Sequence, residues 1–181
     1  MLKEKKILPY SRQFIDTKDI QSVVNVLKSD FITQGKTIKN FENKIISRVG
    51  VKYGVATNSA TSALHIACMA LNLKKNDILW TVPNTFVASA NCGLYCGAKI
   101  DFVDIDRQSL NISIELLEKK LVWAKKRKKL PKIIVPVHFA GNPYPQEKLY
   151  RLSKKYKFKI IEDASHALGS YYKKNPVGSC K

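Results

Sequence analysis

No stretch of the chain approaches the roughly 18 uninterrupted apolar residues that a membrane-spanning helix needs, and the opening MLKEKKILPY carries charge with no apolar run behind it. A membrane is therefore not an expected partner, and a cytoplasmic location is the default. Cysteine is scarce: Cys68, Cys92, Cys96 and Cys180 are the only four, and none forms a CxxC pair, which argues against a structural zinc site and for reduced thiols. The glycine fingerprint of a dinucleotide site is missing from the first strand-to-helix turn, where TNSATSA stands, and no GxSxG elbow of a serine hydrolase occurs. Acids are few, with 14 Asp and Glu against 32 Lys and Arg, a formal charge of +18. Such a balance can signal nucleic acid or acidic ligands. The lysines, however, dot almost every helix, and the densest run, WAKKRKKLPK (residues 123–132), falls at a helix end, where cations suit the dipole and solvent. No aromatic stacking platform is paired with it, so nucleic acid is not an expected partner.

The chain has enough apolar material for one sizeable core, with 45% hydrophobic and 9% aromatic residues over 181 positions. DTKDIQSVVNVLKSD offers Asp16 or Thr17 as an N-cap, then Ile20, Val23, Val24 and Leu27 on one helical face. A second helix carries Ile38, Phe41, Ile45 and Val49 and closes at Gly50. KYGVATNS reads as a short strand, ATSALHIACMALNL as a helix, DILWTVP as a strand, and TFVASANCGLYCG as a helix whose small residues suit close packing. KIDFVDID, KIIVPVHFAG and FKIIEDAS read as strands. Ser113 caps the helix IELLEKKLVWAKK, and Pro145 stands near the first turn of PQEKLYRLSKKY. Strands and helices in alternation imply the α/β class: a mostly parallel sheet with helices on both faces.

In such sheets ligands collect beyond the carboxyl ends of the strands. Asn58, Ser59, Ala60 and Thr61 stand where a strand passes into a helix, so their amides and hydroxyls would face an anion with the helix dipole behind them. Phosphate is the natural guest, and an ordinary helix cap is the alternative. Phe86 lies at the end of the next strand, as a rim aromatic or a core one. The last strand ends at Glu162 and Asp163, with His166 just beyond. A carboxylate there binds a metal, acts as a base or pairs with a protonated ring nitrogen; otherwise it caps a helix beside a satisfied histidine.

The ordered segments TNSATSALHIA, TVPNTFVASANCGLYCGA, VPVHFAG and IIEDASHALGSYY resemble the N-terminal half of the DegT/StrS sugar aminotransferases. These use pyridoxal 5'-phosphate on fold type I, the fold of aspartate aminotransferase. The opening LPYSRQFIDTKDIQSVVNVLKSDFITQGK is similar to the branch that aminates a UDP-linked 4-keto-6-deoxy-acetamido sugar on the route to pseudaminic acid. The resemblance, which runs from Leu8 to Lys181, implies that Asp163 keeps the cofactor's pyridine nitrogen protonated, that His166 supports the ring's 3-oxygen, that Phe86 lies over the ring face, and that Ser59, Ala60 and Thr61 belong to the phosphate cup. It implies glutamate as the amino donor, a nucleotide sugar as acceptor, and a homodimer for the full-length protein.

The same resemblance implies a division at residues 1–36, an N-terminal helix and active-site loop segment, and 37–181, the N-terminal part of the cofactor-binding large domain. The remainder of that domain, with the Ser-Phe-His segment and the lysine that attaches the cofactor, and the small C-terminal domain are expected beyond Lys181. On this reading no residue of the chain is the attachment lysine, and the 181 residues alone are expected to be inactive. Two other readings are open: a non-catalytic remnant that binds cofactor or a partner chain, and a basic nucleic-acid-binding module resting on charge alone.

Overall fold

The computed structural model describes Pro9 and residues 12–179. Cys180, Lys181 and the opening segment before Pro9 lie outside the described residues. The chain divides into two units, residues 1–41 and 42–181. In the first, helix α1 (Thr17–Leu27) takes Asp16, of the two caps the sequence offers, as its N-cap: Asp16 accepts from the backbone N–H groups of Lys18 and Asp19, and the Asp19 carboxylate accepts from the Asp16 N–H at 2.9 Å. This reciprocal capping satisfies first-turn donors that have no helical partner. Helix α2 (Lys36–Val49) ends at Gly50, whose φ of 73° is the left-handed conformation in which a side chain is disfavoured.

In the second unit helix α3 (Ala60–Ala70) leads into β1 (Ile78–Thr81), α4 (Ala88–Tyr95), β2 (Lys99–Phe102), α5 (Ile114–Lys126), β3 (Ile133–Ile134), α6 (Gln146–Tyr156) and β4 (Lys159–Ile160). The four strands form one parallel sheet in the order β2-β1-β3-β4. Alternation along the strands builds two cores. Trp80 and Ile134 face α5 and α6, packing with Leu117, Leu121 and Leu149, whereas Leu79, Ile133 and Val135 face α3 and α4, packing with Leu64, Cys68 and Cys92. Both faces of the sheet are therefore covered, as the α/β reading requires. Close approach of α4 to the sheet depends on Gly93: a methyl group there would meet Ile100 Cδ1 at 2.6 Å and Leu79 Cδ1 at 3.1 Å.

The structure departs from the sequence reading in four places. KYGVATNS is not a strand: no described strand lies beside it, and the Ala56 N–H is bonded to the Glu42 carboxylate at 2.9 Å instead of to a ladder. KIIVPVHFAG keeps only Ile133–Ile134 in its ladder, because Pro136 has no N–H to donate; a single bridge, Val137 to Asp163, resumes the pairing before a short 3-10 turn at Phe139–Gly141. The helix after β1 begins at Ala88, leaving Thr85, Phe86 and Val87 in the turn before it. Finally, YYKKNP folds as a hairpin, β5 (Tyr171–Tyr172) with β6 (Asn175–Pro176), around Lys173 at φ 55°.

Candidate functional site

The chain reverses its direction of travel across the sheet between β1 and β3. From β1 it steps outward to β2, and from there it crosses back past β1 to β3 and on to β4. Loops leaving the carboxyl ends of β1 and β3 thus diverge and open a crevice, the place where open α/β sheets take ligands. Asp163 sits at that edge. Its backbone extends the ladder past β4, with its N–H bonded to Pro136 O at 3.0 Å and its carbonyl accepting from the His138 N–H at 3.1 Å. The side chain is 7% exposed.

Period-two alternation sends the two adjacent acids to opposite faces. Glu162 turns toward α6, where Oε2 lies 3.3 Å from both His138 Nε2 and Gln146 Nε2. It borders a cleft of about 620 Å³ along α6 and β4, a cleft that Asp163 does not line. His138 is buried and stacked on Tyr144 with ring centroids 4.4 Å apart. Asp163 turns toward α4 instead. Its Oδ2 accepts from Ser89 Oγ at 2.6 Å, and its Oδ1 accepts from Ser165 Oγ at 2.6 Å and from the Ser165 N–H at 3.3 Å. Ser89 Oγ is in turn 2.9 Å from Thr85 Oγ1. Among the described residues no Lys, Arg or His nitrogen lies within ion-pair distance of Asp163. No helix follows Asp163, so helix capping does not account for it.

A buried carboxylate with hydroxyl donors and no counter-cation is costly unless something positive completes it. The other candidate residues stand in the loops and helix start at the carboxyl ends of the strands. Phe86 is 73% exposed, which removes it from the core and leaves its ring at the crevice edge that follows β1. Helix α3 runs down to the start of β1, so its N-terminus stands at the same carboxyl edge as Asp163. There Ser59 is the N-cap and accepts from the Ser62 N–H at 3.3 Å, while Thr57 Oγ1 donates to Ser59 O at 2.8 Å. Ala60 is exposed and Thr61 half-buried at the start of the helix. First-turn amides of this kind, with the dipole behind them, suit a phosphate. His166 is exposed in the loop after β4; its carbonyl oxygen would lie 2.8 Å from a methyl group placed on Gly141, whose φ is 82°. A metal has no obvious cage, since no cluster of three His, Cys, Asp or Glu groups exists among the described residues.

Sequence reasoning missed Thr85, Ser89 and Ser165. Ser89 and Asp163 are separated by 74 positions, and a serine inside a run of small helical residues carries no signal of its contact. The described cysteines behave as structural thiols: Cys68, Cys92 and Cys96 are free, and the hydrogen bond that Cys68 donates to Cys92, reinforced by burial, pushes the Cys68 thiol well above its ordinary range.

Known proteins are similar to this chain in sequence and fold. The chain is 43% identical over 173 residues to the UDP-4-amino-4,6-dideoxy-N-acetyl-beta-L-altrosamine transaminase of Campylobacter jejuni, a match covering 96% of this chain and 45% of the relative. The Helicobacter pylori aminotransferase PseC, described as involved in pseudoaminic acid biosynthesis, superposes with a TM-score of 0.82 at 34% identity, over 93% of this chain and 44% of that one. A Streptococcus pneumoniae protein in its PLP-form gives a TM-score of 0.84 at 29% identity, over 96% and 46%. The chain thus spans less than half the length of the relatives it matches. With a match to the family model over residues 13–181 and the parallel α/β sheet that its structural neighbours share, the chain belongs to the DegT/DnrJ/EryC1/StrS aminotransferase family.

Proposed function

We propose that this chain forms the cofactor-binding part of a sugar aminotransferase that uses pyridoxal 5'-phosphate and transfers an amino group from glutamate to C4 of a UDP-linked 4-keto-6-deoxy-acetamido sugar. The observation that carries the cofactor half of this reading is Asp163, a buried carboxylate held by Ser89 and Ser165 with no cation beside it among the described residues. When bound, the cofactor supplies an electron-withdrawing ring that takes up electron density as a proton leaves the amino-acid carbon, and it does so best with its pyridine nitrogen protonated. In this chain Asp163 holds that proton in place. Phe86 would cover a face of the ring, His166 would support its 3-oxygen, and the amides and hydroxyls of Ser59, Ala60 and Thr61 would take the phosphate. Covalent attachment of the cofactor is assigned to no residue of this chain.

The sugar half rests on likeness. The Campylobacter jejuni relative at 43% identity is named for a 4-amino-4,6-dideoxy sugar, and the Helicobacter pylori structure is described as involved in pseudoaminic acid biosynthesis, which supports a nucleotide-sugar acceptor; a homodimeric full-length protein is part of the same proposal. Residues 1–36 are assigned as an N-terminal helix and active-site loop segment, and 37–181 as the cofactor-binding part. No helix of the described residues is long and apolar enough to cross a membrane. Titration with pyridoxamine 5'-phosphate, which cannot react with surface lysines, tests the cofactor reading. Saturable binding is expected, together with much weaker binding of pyridoxamine lacking the phosphate. Equal binding of the two would remove the phosphate assignment, and no saturable binding of either would remove the function.

A further inference from the structure

We propose that Thr85 and Ser89 are positioning residues for Asp163, a directed pair of hydroxyls, one on the turn before α4 and one in its first turn, that fixes the carboxylate for the ring nitrogen of the cofactor. The inference rests on the role given to Asp163 above. Its direction follows from donor chemistry. An ionised carboxylate only accepts, so Ser89 Oγ must donate to Asp163 Oδ2 across 2.6 Å. Having spent its proton there, Ser89 is left as an acceptor, and Thr85 Oγ1 donates to it at 2.9 Å. The opposite oxygen, Oδ1, is held by Ser165 Oγ at 2.6 Å and by the Ser165 N–H at 3.3 Å.

The carboxylate is therefore clamped from both sides, and the two clamps differ in kind. Ser165 is two residues away and moves with Asp163. Ser89 belongs to another helix and is 0% exposed, so no water can take over its bond. Its hydroxyl ties the carboxylate to α4, the helix packed on the sheet through Gly93 and Cys92. Thr85 also adjoins Phe86, so the turn that presents the exposed ring is the turn that orients the acid. A hydrogen bond to a charged group is worth enough to change a binding constant about tenfold or more. The competing explanation is that Ser89 merely fills a gap between α4 and the sheet, in which case volume matters and the hydroxyl does not.

Pyridoxamine 5'-phosphate titrated into the 181-residue chain separates these. Ser89→Ala should weaken binding about tenfold, Ser89→Cys should lose as much although it fills the space, and Ser89→Thr should recover most of the affinity by restoring a hydroxyl. Thr85→Val, one bond further out, should weaken binding about threefold. The cofactor-free chain gives an independent signature: a slowly exchanging hydroxyl proton, detected by NMR, that vanishes in Ser89→Ala and moves upfield in Asp163→Asn. Binding by Ser89→Cys equal to that of the unaltered chain, or a hydroxyl proton indifferent to Asp163→Asn, would overturn the proposal. Unchanged binding in Asp163→Asn would overturn the cofactor role of Asp163 and the positioning role with it; a responsive hydroxyl proton tells that failure apart from the first.

Discussion

Replacing Phe86 by alanine separates a ring that waits for a ligand from a ring that holds the fold. With the side chain 73% exposed, about a quarter of the roughly 200 Å² of a phenylalanine is removed from water, some 50 Å². At about 25 cal/mol per Å² that burial stabilises by roughly 1 kcal/mol, an upper value because the unfolded chain also hides surface. A fully buried phenylalanine would lose about 3 to 5 kcal/mol on the same change. Stacking of a planar heterocycle on an aromatic ring is worth about 1 to 3 kcal/mol, or between about fivefold and about 150-fold in affinity. Phe86→Ala should therefore lower the urea-unfolding free energy by no more than about 1 kcal/mol while weakening pyridoxamine 5'-phosphate binding by about tenfold, both read from tryptophan fluorescence and calorimetry on one preparation. A stability loss of 3 kcal/mol with affinity intact would return Phe86 to the core and refute the reasoning.

Leu79→Ala, at a fully buried position between the sheet and α4, should cost about 3 kcal/mol, seen as a lower urea midpoint at constant slope. Gly141→Ala places a methyl group 2.8 Å from the His166 carbonyl at a φ of 82°; a destabilisation of about 1 to 2 kcal/mol, with weaker pyridoxamine 5'-phosphate binding, is expected, and unchanged values of both would show that the loop yields freely. Asp77 ties the start of β1 to Lys132 ahead of β3 at 2.7 Å, and that hydrogen bond, aided by the Lys74 N–H, holds its carboxyl below the usual range. A depressed pKa gives stability that is present above the unfolded value near pH 4 and disappears as pH falls through the folded one. Asp77→Asn should accordingly lower stability by about 1 kcal/mol at pH 7, with the gap to the unaltered chain closing below about pH 4. A gap constant with pH would mean the contact is not ionic.

Much of the architecture was legible because it depends on local chemistry. Asp16, one of the two caps the sequence offers for α1, and Ser113 cap their helices, Ser59 takes the cap position within the segment Asn58 to Thr61, and Gly50 terminates α2, since caps are set by residues a few positions away. Strand extents were less legible. KYGVATNS has strand-like composition but no ladder partner among the described residues, and the single proline in KIIVPVHFAG cut its ladder short. Pairing is a non-local property that composition does not encode. The site divides the same way. Asp163, Phe86 and the α3 N-terminus were visible as residues at strand ends, whereas Ser89 was not, because its contact depends on α4 packing that no spacing rule reports. Charge was read as diffuse along the chain. The fold gathers Lys74, Lys75, the run Lys125 to Lys129, Lys157 and Lys159 at the amino ends of the strands, away from Asp163, because the helices that precede each strand all finish there.

The measurement closest to the central claim is calorimetric titration of pyridoxamine 5'-phosphate into the chain and into Asp163→Asn, with thermal unfolding of both recorded without ligand. Asparagine keeps the shape and an acceptor for Ser89 but removes the charge. Losing one partner of a buried charge pair costs about 2 to 5 kcal/mol in binding, so affinity should fall at least thirtyfold. Relief of an uncompensated buried charge offsets the weakened Ser165 contact in the free chain, and its stability should change by less than about 1 kcal/mol. Equal affinity in the two proteins would contradict the account, since the buried carboxylate at the end of β4 would then serve something other than a cationic ring.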